Sequence, residues 1–367
     1  MIREGKFGLS EAICLITVVN ANKVLFTSPS HIVRLVGTAG WYMTLISAAV
    51  AAVGFTFVYL LVKRFAGRDI VEVFNIVLGP FVGLIVSAAF AALFMFNAGI
   101  TMGEFTEVFK VYVLPESPKY FIVLIFIIPV VIINYLGLET LARIARISAY
   151  FLLAGFIAVL VLGFQNYNFY RLFPLEGRGI GKTLYHGLAR SSVYADAVIL
   201  AVIARTLQKT NNIKKAGYAG IAISGLLISA ALMAFSLAFN YHTGAEITSP
   251  MYQMTTLIDY GRFIQRIDPI FLLTWNVSSF ISVSLLFYAA VSIYCKMFEM
   301  HDTRPVIIAL STVLFATAML PENISSVSAG FIQKIREYGW ILYHIPPLIT
   351  LAIAVLRKKG SKKVCVG

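Results

Sequence analysis

Lys23, Arg190 and Asp196 lie within stretches that are otherwise apolar. A charge at the centre of a bilayer costs on the order of 2.5–3.5 kcal/mol on insertion scales, so such groups turn inward to a partner, a cavity or a ligand. Each belongs to a polar interruption. Asn20, Ala21, Asn22 and Lys23 break one apolar run shortly before Pro29, and Arg190, Ser191, Ser192, Val193, Tyr194, Ala195 and Asp196 break another. Backbone N–H and C=O groups freed at such a break find partners only by lining a cavity or a ligand. Half-helix N-termini offer partial positive charge and free N–H groups to a carboxylate, so the chemistry is non-covalent binding of a small zwitterion such as an α-amino acid. Two arrangements of the charges are open. Lys23 and Asp196 can meet across the breaks, the ammonium standing where a coupling cation would otherwise sit. Alternatively, Lys23 reaches an interface and Asp196 caps the second half of its own helix.

The elements that must position these residues are membrane helices. Of 367 residues, 59% are hydrophobic and 13% charged, and the mean hydropathy is +0.84, too apolar for a soluble domain of this length. Apolar runs of roughly 17–25 residues recur throughout. They predict about ten transmembrane helices, approximately 8–28, 41–62, 80–109, 118–136, 139–163, 183–204, 214–240, 269–297, 303–320 and 337–356. The interruptions fall in the first and sixth. This is the plan of transporters built from two inverted five-helix repeats, which bind substrate between broken helices 1 and 6. The expectation is therefore an all-α membrane protein with a 5+5 inverted-repeat transporter-like fold. It forms one polytopic domain over 1–367, with repeats at approximately 8–163 and 183–356 and a basic cytoplasmic tail at 357–367. Basic residues favour the terminus side by about eighteen to about ten, which places both termini in the cytoplasm.

Arg3 and Lys6 precede the first apolar run without a small-residue cleavage pattern, so that run is read as a helix that stays. A segment from Arg68 to Leu78 places Ile70, Val71, Phe74, Val77 and Leu78 at helical spacing, the pattern of an interfacial helix. Tyr167, Phe169, Tyr170 and Phe173 suit the headgroup level. Asn97 and Thr101 in helix three, and Asn276, Ser278, Ser279, Ser282 and Ser284 in helix eight, could line the cavity or simply join helices. The GxxxG spacings Gly79/Gly83 and Gly99/Gly103 point to close helix packing.

The net charge of +13 is spread over cytoplasmic loops and a tail rather than gathered into a nucleic-acid-binding face. Cys14, Cys295 and Cys365, and His31, His186, His242, His301 and His344, lack the spacing of a disulfide framework or metal site. The run Gly177–Thr183 falls one residue short of a phosphate-binding loop and follows no buried strand. No triad or carboxylate dyad takes its place, so neither an enzyme nor a cofactor is expected.

The order of several short motifs resembles the B subunits of spore germinant receptors, relatives of the permeases of the amino acid–polyamine–organocation superfamily. Trp41 opens helix two, followed by Lys63-Arg64-Phe65 with Gly67, Leu78-Gly79 with Gly83, and Leu114-Pro115-Glu116-Ser117-Pro118. Gly137-Leu138-Glu139 with Arg143 opens helix five, where Glu139 and Arg143 form an i,i+4 pair. Phe263-Ile264-Gln265-Arg266-Ile267-Asp268 leads to Trp275. The resemblance implies a receptor subunit of the spore inner membrane that binds a germinant, typically an amino acid, and works with an A and a C subunit. It places Ser192, Val193, Tyr194 and Asp196 at the helix-six break and Ser282 and Leu286 on the helix-eight wall of the pocket. Relatives carry a glycine-containing break in helix one; this chain has Asn22, Lys23 and Val24 there. A secondary amino-acid transporter would use the same pocket, and a scaffold for partner subunits would need none.

Overall fold

A computed structural model describes residues 7–23, 28–207, 210–261, 267–321 and 331–360. Arg266 and its neighbours 262–265, and most of the basic tail, lie outside the described residues. The described chain is almost entirely helical. Its first part holds α1 (Leu9–Asn22), α2 (Ser28–Val36), α3 (Gly40–Arg64), α4 (Ile70–Leu78), α5 (Pro80–Tyr112), α6 (Lys119–Leu136) and α7 (Leu138–Leu162). Then come α8 (Ile180–Ala189), a 3-10 stretch over Arg190–Val198, α9 (Ile199–Val202) and α10 (Thr210–Ala238). The remainder comprises α11 (Tyr241–Glu246), α12 (Pro250–Thr256), α13 (Asp268–Met297), α14 (Arg304–Met319), α15 (Phe331–Tyr338) and α16 (Trp340–Leu356).

Among the described residues, seven helical segments are long and apolar enough to cross a membrane, and α1 and α14 are shorter apolar helices. Three of the ten expected spans thus come out short, for a local reason. Helix α1 ends at Asn22, inside the polar run Asn20–Lys23. The sixth span is divided by the 3-10 stretch at Arg190–Val198. At 1.5 Å per residue, the 16 residues of α14 reach about 24 Å.

Helices α13 and α10 are the inner elements, with 72% and 67% of their most apolar windows buried, whereas only 11% of that of α7 is buried. Helix α13 packs along α5, and α1 lies against α10 and α7. Helix α3 contacts α10 and the 3-10 stretch, which brings both helix breaks into the middle of the bundle. Two junctions are so tight that glycine is required. Gly79 (φ 92°) separates α4 from α5 and Gly137 (φ 96°) separates α6 from α7, a backbone region costly for any other residue. The Leu78-Gly79 and Gly137-Leu138 motifs therefore encode chain reversals at helix ends.

Helix α4 departs from expectation. It forms where predicted, capped by Asp69, whose carboxylate accepts from the Glu72 N–H at 3.1 Å. Its apolar residues Ile70, Val71, Phe74 and Val77 are buried against α5 and α16, however, and do not face lipid. The period of the pattern is the same for either partner, and only the neighbouring helices decide which one the face meets. Phe169, Tyr170 and Phe173 are exposed, whereas Tyr167 is half-buried and donates its hydroxyl to the Leu160 carbonyl at 3.0 Å.

Gly99 and Gly103 behave as the packing reading expects. A methyl group on Gly103 would lie 2.7 Å from the Ala318 carbonyl oxygen, and one on Gly99 would overlap Thr317. Gly103→Val is expected to separate α5 from α14 and to cost about 1–3 kcal/mol, measured as thermal unfolding in detergent. Gly181→Ala, where a methyl group meets nothing within 4 Å, is the control and should leave the midpoint unchanged or slightly raised.

Candidate functional site

The two breaks meet through charge. Lys23 ends α1 and Asp196 sits in the 3-10 stretch; the ammonium Nζ lies 2.5 Å from Asp196 Oδ2, with the side chains 7% and 0% exposed. The cross-break arrangement is thus realised, and Lys23 does not reach an interface. The other carboxylate oxygen, Oδ1, accepts from the Tyr343 hydroxyl at 2.7 Å, and that hydroxyl accepts from Asn97 Nδ2 at 3.2 Å. The Lys23 ammonium also stands 5.9 Å from the centre of the Tyr343 ring, within range of a cation–π contact. Helices α1, α5 and α16 and the 3-10 stretch are thereby joined in one polar chain across an apolar bundle.

The backbone opened by the first break finds partners nearby, as burial demands. The Lys23 carbonyl accepts from Ser28 Oγ at 3.2 Å, which links the end of α1 to the start of α2. Asn22 Oδ1 accepts from Ser279 Oγ of α13 at 3.2 Å, and Asn20 Nδ2 donates to Ser224 Oγ of α10 at 3.4 Å.

A second buried ion pair flanks the first. Arg336 Nη2 of α15 lies 2.6 Å from Glu104 Oε2 of α5, with the side chains 9% and 5% exposed. Arg336 Nη1 also donates to Ser28 Oγ at 3.4 Å, and the Arg336 carbonyl accepts from the Ser192 hydroxyl. Both terminal nitrogens of Arg190 reach Gln333 Oε1 at 3.3 Å. The polar side of α15 is thus bonded to α2, α5 and the 3-10 stretch.

Between these pairs lies a small cavity lined by Lys23, Asn97, Thr101, Ser192, Arg336 and Tyr343, together with Leu93, Phe96, Ile100, Val193 and Gly339. Its free volume of about 20 Å³ accommodates a single water-sized group. A ligand as large as an amino acid requires one wall to move outward.

Of the residues singled out in the sequence, Lys23, Asn97, Thr101 and Ser192 line this cavity, and Asp196 stands directly behind it. Others are engaged elsewhere. Asn20 and Asn22 hold α1 to α10 and α13. Ser191 faces His344 at 3.4 Å, and Tyr194 is buried in the core. Ser282 bonds the Ser278 carbonyl of its own helix at 2.9 Å, and Leu286 is wholly buried in the core. Glu139 and Arg143 form their i,i+4 pair on the exposed face of α7. Trp275 packs on Phe105 with ring centres 4.8 Å apart.

Glu104, Arg336 and Tyr343 were missed. Glu104 carried a readable signal, since it and Glu107 are acids within the expected span 80–109. Arg336 lay at the edge of an expected span, where a basic residue reads as orientation rather than as a site. Nothing distinguished Tyr343 from an interfacial tyrosine.

All-helical architecture, long apolar helices and a polar site closed over by two helix breaks define an integral membrane protein of transporter fold. Solved structures bear out the fold. Mhp1, a nucleobase-cation-symport-1 family transporter in a closed conformation with bromovinylhydantoin bound, superposes with a TM-score of 0.76 over 98% of this chain and 81% of that one, at 11% identity. A Na⁺-coupled sialic acid symporter in a substrate-bound outward-open state gives 0.63 over 97% and 79%, also at 11% identity. The chain belongs to the spore germination protein family, which matches residues 9–327. It is 20% identical to spore germination protein KB of Bacillus subtilis over 99% of this chain and 98% of that protein. Spore germination protein B2 of the same organism is 20% identical over 97% of both.

Proposed function

We propose that the chain is a nutrient germinant receptor subunit of the spore inner membrane, which binds a small amino acid or similar germinant in the mid-membrane pocket and triggers germination together with A and C subunits. The observation that carries this reading is the Lys23–Asp196 pair at the junction of the two helix breaks, with Lys23 lining a small cavity beside Asn97, Thr101, Ser192 and Arg336. Charged groups this deep in a membrane protein mark a ligand path. A zwitterion fits a cavity whose flanking charges, Lys23, Arg336, Asp196 and Glu104, sum to zero.

The reading includes ten crossings in two inverted repeats, with the α1–α2 and α8–α9 segments as broken helices 1 and 6 and both termini cytoplasmic. Lys23 then acts as a tethered cation: its ammonium neutralises Asp196 without a coupling ion, and germinant binding is independent of Na⁺. A secondary transporter is the second reading, favoured by the transport activity named for both structural neighbours.

Reconstitution of the chain alone separates the two. Saturable binding of a labelled amino acid without uptake above empty liposomes is expected, unchanged when Na⁺ is replaced by choline; saturable uptake would establish the transporter. Ser192→Trp, which fills the cavity, is expected to abolish that binding, and unchanged affinity would move the ligand elsewhere.

A further inference from the structure

A second cavity lies on the membrane-facing side of α1, away from the polar site. It holds about 200 Å³ and is enclosed by α1, α7, α10, α12 and α13. Its deep end is formed by Val18, Ala21, Trp275 and Ser278, and its mouth by the exposed Tyr150 and Leu153 of the lipid-facing helix α7. An apolar cavity of about 150 Å³ stays dry and takes up a molecule of benzene size, so this one accommodates roughly eight carbons by the same ratio. No described residue fills it.

A polar recess adjoins the mouth. Tyr150 lines both, and the recess adds Glu11 of α1 with Arg143, Arg146 and Ile147, one to two helical turns toward the start of α7. Arg146 Nη1 bonds Glu11 Oε1 at 2.7 Å, and Arg143 bonds Glu139. Each guanidinium carries five N–H donors, so further donors remain on both after these contacts and the Tyr150 contact of Arg146. Both arginines are substantially exposed. An apolar slot reaching into the bundle, with two exposed guanidinium groups one to two helical turns from its mouth, matches an acyl chain carrying an anionic head.

We propose that this groove binds an anionic phospholipid, with its phosphate at Arg143 and Arg146 and one acyl chain in the cavity lined by Trp275. The chain end packs on Ala21 and Ser278. Ala21 stands two residues before Lys23, and Ser278 is adjacent to the Ser279 that holds Asn22. Lipid occupancy therefore supports the end of α1 from the side opposite the germinant cavity.

Brominated acyl chains quench a tryptophan they touch, and Trp275 reports on this cavity once Trp41 and Trp340 are replaced by Phe in the full chain. Titration in detergent with brominated phosphatidylglycerol and brominated phosphatidylcholine is expected to give saturable quenching, with a preference of roughly fivefold to tenfold for the anionic lipid. Arg143→Gln with Arg146→Gln should remove the preference, and Ala149→Phe, filling the slot beside Tyr150, should remove most of the quenching by either lipid. Equal quenching by both lipids in the parent would overturn the headgroup assignment, and undiminished quenching in Ala149→Phe would overturn the cavity assignment. Leu153→Trp, read by native mass spectrometry of retained lipid, serves where Ala149→Phe fails to fold: it should lower retained phosphatidylglycerol, and parental retention would count against the slot.

Discussion

Lys23→Ala is expected to destabilise the protein by about 3–5 kcal/mol, because it strands a fully buried Asp196 carboxylate. The Coulomb attraction does not set that figure. Taking both charges out of the surrounding polar phase costs about as much as their attraction returns, and what hurts is removing one partner and keeping the other. The same logic predicts that Asp196→Leu with Lys23→Met recovers most of the loss, since two apolar side chains of similar size replace a balanced pair. Denaturant or thermal unfolding in detergent micelles measures both variants. A single variant as stable as the parent would mean that Asp196 finds other solvation, and the pair would not be a structural keystone. The double variant separates stability from function: a well-folded chain without the pair is expected to bind no germinant.

Arg336→Ala is the second large effect, also about 3–5 kcal/mol, because Glu104 loses its partner in a buried setting. Arg336→Lys should retain part of the stability through the Glu104 contact but lose the Ser28 bond, since an ammonium cannot reproduce the guanidinium fork. Ser28 couples the two ion pairs, donating to the Lys23 carbonyl while accepting from Arg336. Lys23→Ala and Arg336→Ala should therefore combine non-additively, by an interaction of about 0.5–3 kcal/mol in a double-mutant cycle. Strict additivity would show that the two pairs act separately. Arg336 also matters for access. Helix α15 walls the cavity and is pinned by Arg336, Gln333 and the Ser192 bond to its backbone. Germinant association and dissociation are expected to accelerate together in Arg336→Lys.

Particular residues show how much of this could be read in advance. The two interruptions were legible because polar runs at Asn20–Lys23 and Arg190–Asp196 are expensive inside an apolar span. Asn97, Thr101 and Ser192 were legible as polar residues at the same depth. Leu286 was placed by resemblance alone and Ser282 also as a polar residue of its span, and their side chains serve the core and α13 itself. Glu104 was within reach of the same intramembrane-charge argument, whereas Arg336 and Tyr343 come from a part of the chain more than 130 residues beyond Asp196.

By itself, the sequence determined that this chain lives in a membrane, that its helices are where the apolar runs are, and that two of them are interrupted by residues that cannot face lipid. These are local properties, set by hydropathy and by what each backbone segment can satisfy on its own. Only the tertiary structure decided which charges meet: Lys23 with Asp196, Arg336 with Glu104, and the apolar face of α4 with its neighbours rather than with lipid. The physical reason is that a helix pattern specifies a face but not its partner. In a bilayer, where lipid is as apolar as any core, the hydrophobic effect does little to choose among partners, and packing and polar pairing make the choice.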